Sequence, residues 1–133
     1  MKVLRSLFRV SLVLWAGSLW SVLWVTATAF KLEPDRHVAG LIAGRLFSIE
    51  TYLALGFAAL ALLLPGRGRY SWAYFAAAVL VANEWILRRV MSVAQAHGSA
   101  AGLGFGAWHA VSAVLYLFAC VAALVLVWKE DFR

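Results

Sequence analysis

The chain has 133 residues, of which 65% are hydrophobic and 14% are charged, and its mean hydropathy is +0.86. A soluble domain contains about 45–50% apolar residues, so this composition excludes a water-soluble globular protein. The formal net charge is +6, but the basic residues lie at the ends of apolar blocks, which argues against a nucleic-acid-binding protein. Cys120 is the only cysteine, which excludes an intrachain disulfide and a cysteine-ligated zinc cluster.

Four apolar blocks follow one another along the chain, at about residues 7–30, 43–64, 70–87 and 105–128. A helix needs about 20 residues to cross a hydrocarbon core of roughly 30 Å, and the third block is close to the lower limit. Backbone polar groups cannot stay unpaired in lipid, and four blocks cannot close a β-barrel. The sequence therefore predicts an all-α integral membrane protein, a single domain over residues 1–133. Its four transmembrane helices form an up-down bundle joined at residues 31–37, 65–69 and 88–104.

The first block has a competing interpretation as a secretory signal peptide. Lys2, Arg5 and Arg9 precede an apolar stretch that ends in the A-x-A pattern of residues 27–29. The apolar stretch is longer than the roughly 7–15 residues of a signal-peptide core, which favours a transmembrane helix.

The distribution of lysine and arginine predicts the orientation of the bundle. The side that holds both termini and the turn at residues 65–69 carries seven of these residues, and the opposite side carries four. The positive-inside rule therefore places the N- and C-termini in the cytoplasm. The seven are Lys2, Arg5, Arg9, Arg67, Arg69, Lys129 and Arg133, and the four are Lys31, Arg36, Arg88 and Arg89.

Small residues recur every four positions in the first two helices. Gly40, Gly44 and Ser48 follow this spacing in the second helix, as Gly17 and Ser21 do in the first. Small side chains at this spacing let helix backbones approach closely, so we expect Gly17, Gly40 and Gly44 to lie in helix contacts.

Ionisable residues inside the apolar blocks are the most informative ones, because each costs several kcal/mol in lipid unless it is paired or hydrated. Counting along the helices at about 1.5 Å per residue places Glu50 and Glu84 at nearly the same level, in the outer third of the bilayer. Glu84 and Arg88 have the i, i+4 spacing of a helix ion pair. We expect one buried polar network that faces the periplasm and contains Arg45, Glu50, Glu84, Arg88, His109 and Ser112.

Three interpretations of this network stay open. The first is a set of Arg–Glu pairs that hold the helices in register. The second is a small polar pocket for a proton, a metal ion or a polar ligand, and the third is a cofactor site. For a cofactor such as haem, the candidate binding residue is His109. The histidine spacing is not a metal signature, so no metal ligands are predicted. The sequence contains no G-x-S-x-G, Walker or dinucleotide-binding motif, so no catalytic residue is predicted either.

Three segments carry a family resemblance, namely residues 14–18 (LWAGS), 39–47 (AGLIAGRLF) and 108–112 (WHAVS). Together they resemble the bacterial membrane domain of unknown function that is related to eukaryotic transmembrane protein 205. The resemblance implies a four-helix membrane protein without an assigned activity. The chain departs from the pattern at residues 26–29 (TATA), where a proline is expected. The motif residues in this chain are Gly17, Ala39, Gly40, Gly44, Arg45, Phe47, His109 and Ser112.

These observations lead to an expectation about function. We expect a multi-pass protein of the bacterial inner membrane that is non-enzymatic, has a periplasm-facing polar network and handles a small solute or an ion. Two alternatives stay open: a metal- or haem-binding redox or assembly protein that uses His109, and an accessory subunit of a larger membrane complex. The expected partners are the lipid bilayer and a second copy of the chain or another membrane protein, not nucleic acid.

Overall fold

The computed structural model describes residues 2–131, and these residues are helical apart from short turns. An isolated bridge pairs Ala100 with Leu103, and the described residues contain no strand. The all-helical fold predicted from the sequence is therefore present. The elements are α1 (Lys2–Leu32), α2 (Arg36–Leu62), a 3₁₀ turn (Arg67–Tyr70), α3 (Ser71–Ala82), a π-helical segment (Asn83–Leu87), α4 (Arg88–His97) and α5 (Phe105–Asp131).

The third apolar block forms a longer helical run than the sequence predicts. Helix α3, the π-helical segment and α4 follow one another without a break over residues 71–97. The prediction of a connection over residues 88–104 is therefore wrong for its first ten residues. Residues 88–97 are too polar to be predicted as part of a bilayer span. A helix forms its backbone hydrogen bonds internally, however, so it continues past the apolar block until Gly98. That glycine ends α4 with a φ of 82°, which favours a residue without a Cβ.

Local sequence signals explain where α2 begins and ends. The side chain of Asp35 accepts a hydrogen bond of 2.9 Å from the backbone N–H of His37, which caps the N-terminus of α2. At the other end Pro65 cannot continue a helix, and Gly66 adopts a φ of 77° in the turn toward α3. The short connections make successive helices antiparallel.

The four helical runs within residues 2–131 pack as a closed ring. Helix α1 contacts α2 and α5, and α3 also contacts α2 and α5. The contacts run in opposite directions along neighbouring helices: Ser48 of α2 meets Glu84, and Thr51, three residues further on, meets Leu80. The up-down arrangement follows from these pairs.

The core is aromatic on one side of the ring and rich in alanine on the opposite side. On one side Phe8 stacks on Phe57 at a centroid distance of 5.0 Å, and Trp15 also stacks on Phe57, at 4.7 Å. On the opposite side α3 and α5 pack through alanines, which lets two helices approach closely. The buried alanines of these two helices are Ala73, Ala76, Ala77, Ala119, Ala122 and Ala123.

Two of the three glycines predicted to pack are not in helix contacts. A Cβ built on Gly17 or Gly40 would meet nothing within 4 Å, so that prediction is wrong for both. The buried positions at the start of α2 are Ala39 and Ala43, one residue earlier and therefore about 100° around the helix. Gly44 does face a neighbour, since a Cβ there would lie 2.5 Å from Nη2 of Arg88.

Helices α1, α2 and α5 are long and apolar enough to cross a membrane. Large apolar side chains also cover the outside of the bundle, for example Trp24, Leu63 and Trp128, which are 74%, 82% and 67% exposed. An outer surface of this kind is typical of a protein that has lipid as its solvent. The architecture therefore indicates a membrane protein.

Candidate functional site

The carboxylate of Glu50 is the most deeply buried acidic side chain among the described residues, with only 2% of the residue exposed. Glu50 lies in the middle of α2 and faces α1. Its Oε1 accepts a hydrogen bond from the hydroxyl of Ser18. Its Oε2 is buried and has no hydrogen-bond partner within residues 2–131. A buried polar atom without a partner costs about 1–3 kcal/mol, so this oxygen needs an explanation.

Three consecutive residues of α1 surround this position with polar contacts to two helices. Next to Ser18, the backbone carbonyl of Leu19 accepts a hydrogen bond of 2.7 Å from the hydroxyl of Tyr116. The same carbonyl lies 3.7 Å from the Sγ of Cys120, and the indole N–H of Trp20 donates to the carbonyl of Cys120 at 3.2 Å. These contacts hold α1, α2 and α5 together at the level of Glu50.

Glu84 belongs to a different cluster, on the side of α2 that faces α3 and α4. Its Oε1 accepts a hydrogen bond of 2.6 Å from Ser48 and forms an ion pair of 2.5 Å with Nη1 of Arg88. The same nitrogen of Arg88 donates to the hydroxyl of Ser48 at 3.1 Å. The side chain of Glu84 is 10% exposed and that of Arg88 is 47% exposed, so the guanidinium closes the outer end of the cluster.

Asn83 and Ser112 form a third polar contact, between the π-helical segment and α5. The hydroxyl of Ser112 donates to Oδ1 of Asn83 at 2.6 Å, and Nδ2 of Asn83 donates to the carbonyl of Ser112 at 3.3 Å. Both side chains are buried. Asn83 and Glu84 are neighbours in the π-helical segment, and Asn83 contacts α5 whereas Glu84 contacts α2.

The six residues of the predicted network are thus distributed over separate places. Glu84 and Arg88 meet each other, Ser112 pairs with Asn83, and Glu50 lies apart from both contacts. Arg45 is exposed, so its assignment to a buried network is wrong. Five residues along a helix correspond to a rotation of about 140°, and Arg45 therefore points away from Glu50.

His109 is exposed as well, and its assignment to the buried network is also wrong. It lies in the first turns of α5, three residues before Ser112, the first buried residue of that helix. Its ring stacks on Phe105 at a centroid distance of 6.0 Å. His37 and His97 are exposed too, and within residues 2–131 no three histidine, cysteine, aspartate or glutamate side chains are grouped to hold a metal ion.

A further charged cluster, at the end of the bundle where α1 begins and α5 ends, was not predicted. Glu130 is 4% exposed, and its Oε1 accepts hydrogen bonds from Nε and Nη2 of Arg69 at 3.0 and 2.8 Å. Nη2 of Arg9 donates to the backbone carbonyl of Glu130 at 2.7 Å. The turn before α3 and the start of α1 are therefore both attached to the end of α5.

Most residues missed by the sequence analysis are neutral partners of the charged ones. Ser18, Ser48 and Asn83 are common residues whose sequence context gives no sign of a buried contact. The Arg69–Glu130 pair did carry a signal, because both residues lie at the boundary that was predicted to be cytoplasmic. The estimate of depth that was applied to Glu50 and Glu84 would also have placed Arg69 and Glu130 at the same level.

Comparison of the chain with protein-family models, with curated proteins and with solved structures gives no match. The resemblance to the transmembrane-protein-205-like domain stays a prediction that depends on residues 14–18, 39–47 and 108–112.

Proposed function

We propose that this chain is a protein of the bacterial inner membrane that crosses the bilayer four times, keeps both termini in the cytoplasm and handles a small ion without catalysing a reaction. The observation that carries the functional part is the unpartnered, buried Oε2 of Glu50.

The helical run over residues 71–97 supports a fourth span. Its 27 residues correspond to a rise of about 40 Å, which exceeds the roughly 30 Å of a hydrocarbon core. The π-helical segment divides the run into α3 and α4, so neither part alone has the length of a span. Four spans bring both ends of the chain to one side, and that side is the one richer in lysine and arginine.

Within residues 2–131, no ion pair joins Glu50 to a positively charged side chain. The guanidinium of Arg88 is held by Glu84, and Arg45 points away from Glu50. The one hydrogen bond to the carboxylate from a described residue comes from the neutral hydroxyl of Ser18. An isolated carboxylate in the membrane interior costs several kcal/mol, and a bound ion removes this cost by supplying the missing charge.

The chemistry of one carboxylate oxygen favours the proton as this ion. A proton needs a single oxygen, whereas Ca²⁺ takes six to eight oxygen ligands and Mg²⁺ requires an octahedral set. Glu50 offers Oε2 for the proton, while Oε1 stays bonded to Ser18. The cluster of Ser48, Glu84 and Arg88 is internally neutralised and serves as a structural contact between α2 and α4.

Reconstitution tests this proposal. The purified chain is placed in liposomes that contain a pH-sensitive dye, and a membrane potential is imposed with potassium and valinomycin. We expect a proton flux above that of protein-free liposomes, and we expect Glu50→Gln to abolish it. Glu84→Gln is the matched control, because it also removes a carboxylate from the bundle interior, and its flux should stay close to that of the wild type.

A second readout follows the bound proton itself. The infrared band of a protonated carboxyl group should be present in the wild type and in Glu84→Gln and absent in Glu50→Gln. A wild-type flux equal to that of Glu50→Gln would contradict the proposal, provided that circular dichroism shows equal helicity for the two proteins.

A further inference from the structure

A crevice opens at the predicted cytoplasmic end of the bundle, between the start of α1 and the turn that precedes α3. It has a volume of about 60 Å³. Its lining combines apolar and cationic side chains, which is unusual for a gap between helices. The lining includes Leu4, Arg5, Phe8, Pro65, Arg69 and Tyr70.

The two arginines of the crevice have different roles. Arg69 is fixed in place, because Nε and Nη2 bind Glu130 and its guanidinium carbon lies 5.5 Å from the ring centroid of Tyr70. These contacts leave Nη1 of Arg69 outside the ion pair. Arg5 is exposed and forms no hydrogen bond or ion pair with any residue in the described range 2–131. One fixed and one unpaired guanidinium therefore border the same small space.

Among the side chains that the structure describes at this end, the positive charges outnumber the negative one. Glu130 neutralises Arg69, while the hydrogen bond of Arg9 within this described part goes to the carbonyl oxygen of Glu130 and leaves the charge of Arg9 in place, as that of Arg5 is. The floor of the crevice is aromatic, with the rings of Phe8 and Tyr70 at a centroid distance of 4.8 Å. A ligand that fits must carry negative charge at one end and accept an apolar surface next to it.

We propose that this crevice binds the phosphate of an anionic phospholipid from the cytoplasmic leaflet. Arginine binds phosphate through charge-assisted hydrogen bonds, and basic pockets between transmembrane helices on the cytoplasmic side are suited to anionic head groups. The first part of the acyl chains lies against Leu4 and Pro65. The choice of leaflet rests on the topology proposed above, and the site itself is independent of Glu50.

Native mass spectrometry of the whole chain in a mild detergent tests the inference. The protein is offered equal amounts of phosphatidylglycerol and phosphatidylcholine, and the lipid adducts are quantified. We expect phosphatidylglycerol to be retained in preference to phosphatidylcholine by about tenfold. Both lipids carry the phosphate, but the quaternary ammonium of phosphatidylcholine brings a positive charge close to Arg5 and Arg69, and like charges repel. Arg5→Gln should remove this preference, and Arg5→Lys should keep part of it.

Arg36→Gln is the matched control, because Arg36 is also exposed but lies at the opposite end of the bundle. It should retain the preference of the wild type. Equal retention of the two lipids, or the same loss in Arg5→Gln and Arg36→Gln, would overturn the inference. Displacement of the lipid by millimolar inorganic phosphate would overturn it too, because the site would then bind a free anion.

Discussion

The substitution Glu130→Gln tests how much the Arg69–Glu130 pair contributes to the closure of the bundle. It removes the negative charge that accepts two hydrogen bonds from Arg69, and it leaves the contact of Arg9 with the backbone carbonyl intact. A hydrogen bond to a charged group contributes about 1.5–3 kcal/mol. The side chain of Arg69 is 27% exposed, so water replaces part of what is lost. We therefore expect a loss of about 2 kcal/mol in the free energy of unfolding.

Unfolding of the purified protein by SDS in mixed micelles, followed by tryptophan fluorescence, measures this change. Glu33→Gln is the matched control, since Glu33 accepts one exposed hydrogen bond from the backbone of Asp35, and it should shift the free energy by less than about 0.5 kcal/mol. The double variant with Arg69→Gln should be about 1–2 kcal/mol more stable than the sum of the two single changes predicts, and this difference is the coupling energy of the pair. A coupling near zero would refute the reasoning.

Four further substitutions are followed by the same titration. Gly40→Ala should be neutral or stabilising, and Gly44→Ala should be less favourable than Gly40→Ala because the new Cβ displaces the end of the Arg88 side chain; equal effects would count against the assigned contact. Asn83→Ala should cost about 1–2 kcal/mol, since it removes both hydrogen bonds to α5, and an unchanged midpoint would show that this contact is dispensable. His109→Ala should leave stability within about 0.5 kcal/mol because the side chain is exposed, and a large loss would contradict its placement.

The helices could be predicted from the sequence because lipid imposes a simple requirement, namely an uninterrupted apolar stretch with internal hydrogen bonds. All four apolar blocks overlap helices. The π-helical segment could not be predicted, since one extra residue in a turn leaves no trace in composition or hydropathy. The helical continuation over residues 88–97 was missed for a related reason: these residues are polar, and polarity does not distinguish a loop from a helix that extends beyond the apolar block.

The residues of the candidate site could be predicted only where the depth of a side chain along the bundle is enough to decide its position. Residue counting singled out Glu50 and Glu84, whose carboxylates do lie inside the bundle, and the i, i+4 spacing identified the partner of Glu84. Residue counting gives the level of a side chain along the bundle, whereas the direction of the side chain depends on the rotation of its helix. This is why Arg45 and Glu50 were wrongly predicted to belong to one network. The exposure of His109 depends on how far the neighbouring helices extend around α5, and no pattern within one helix contains that information.

The most direct test of the account concerns the solvent around the bundle, and it uses single engineered cysteines in intact cells. Cys120 is buried and is replaced by alanine, and Gly68→Cys and Ser99→Cys are introduced separately, in the turn before α3 and in the turn after α4. A membrane-impermeant maleimide should label Ser99→Cys from the periplasm and should reach Gly68→Cys only after the inner membrane is permeabilised. Labelling of both positions from the same side would show that residues 71–97 do not cross the membrane, and it would contradict both the four-span topology and the placement of Glu50 inside the bilayer.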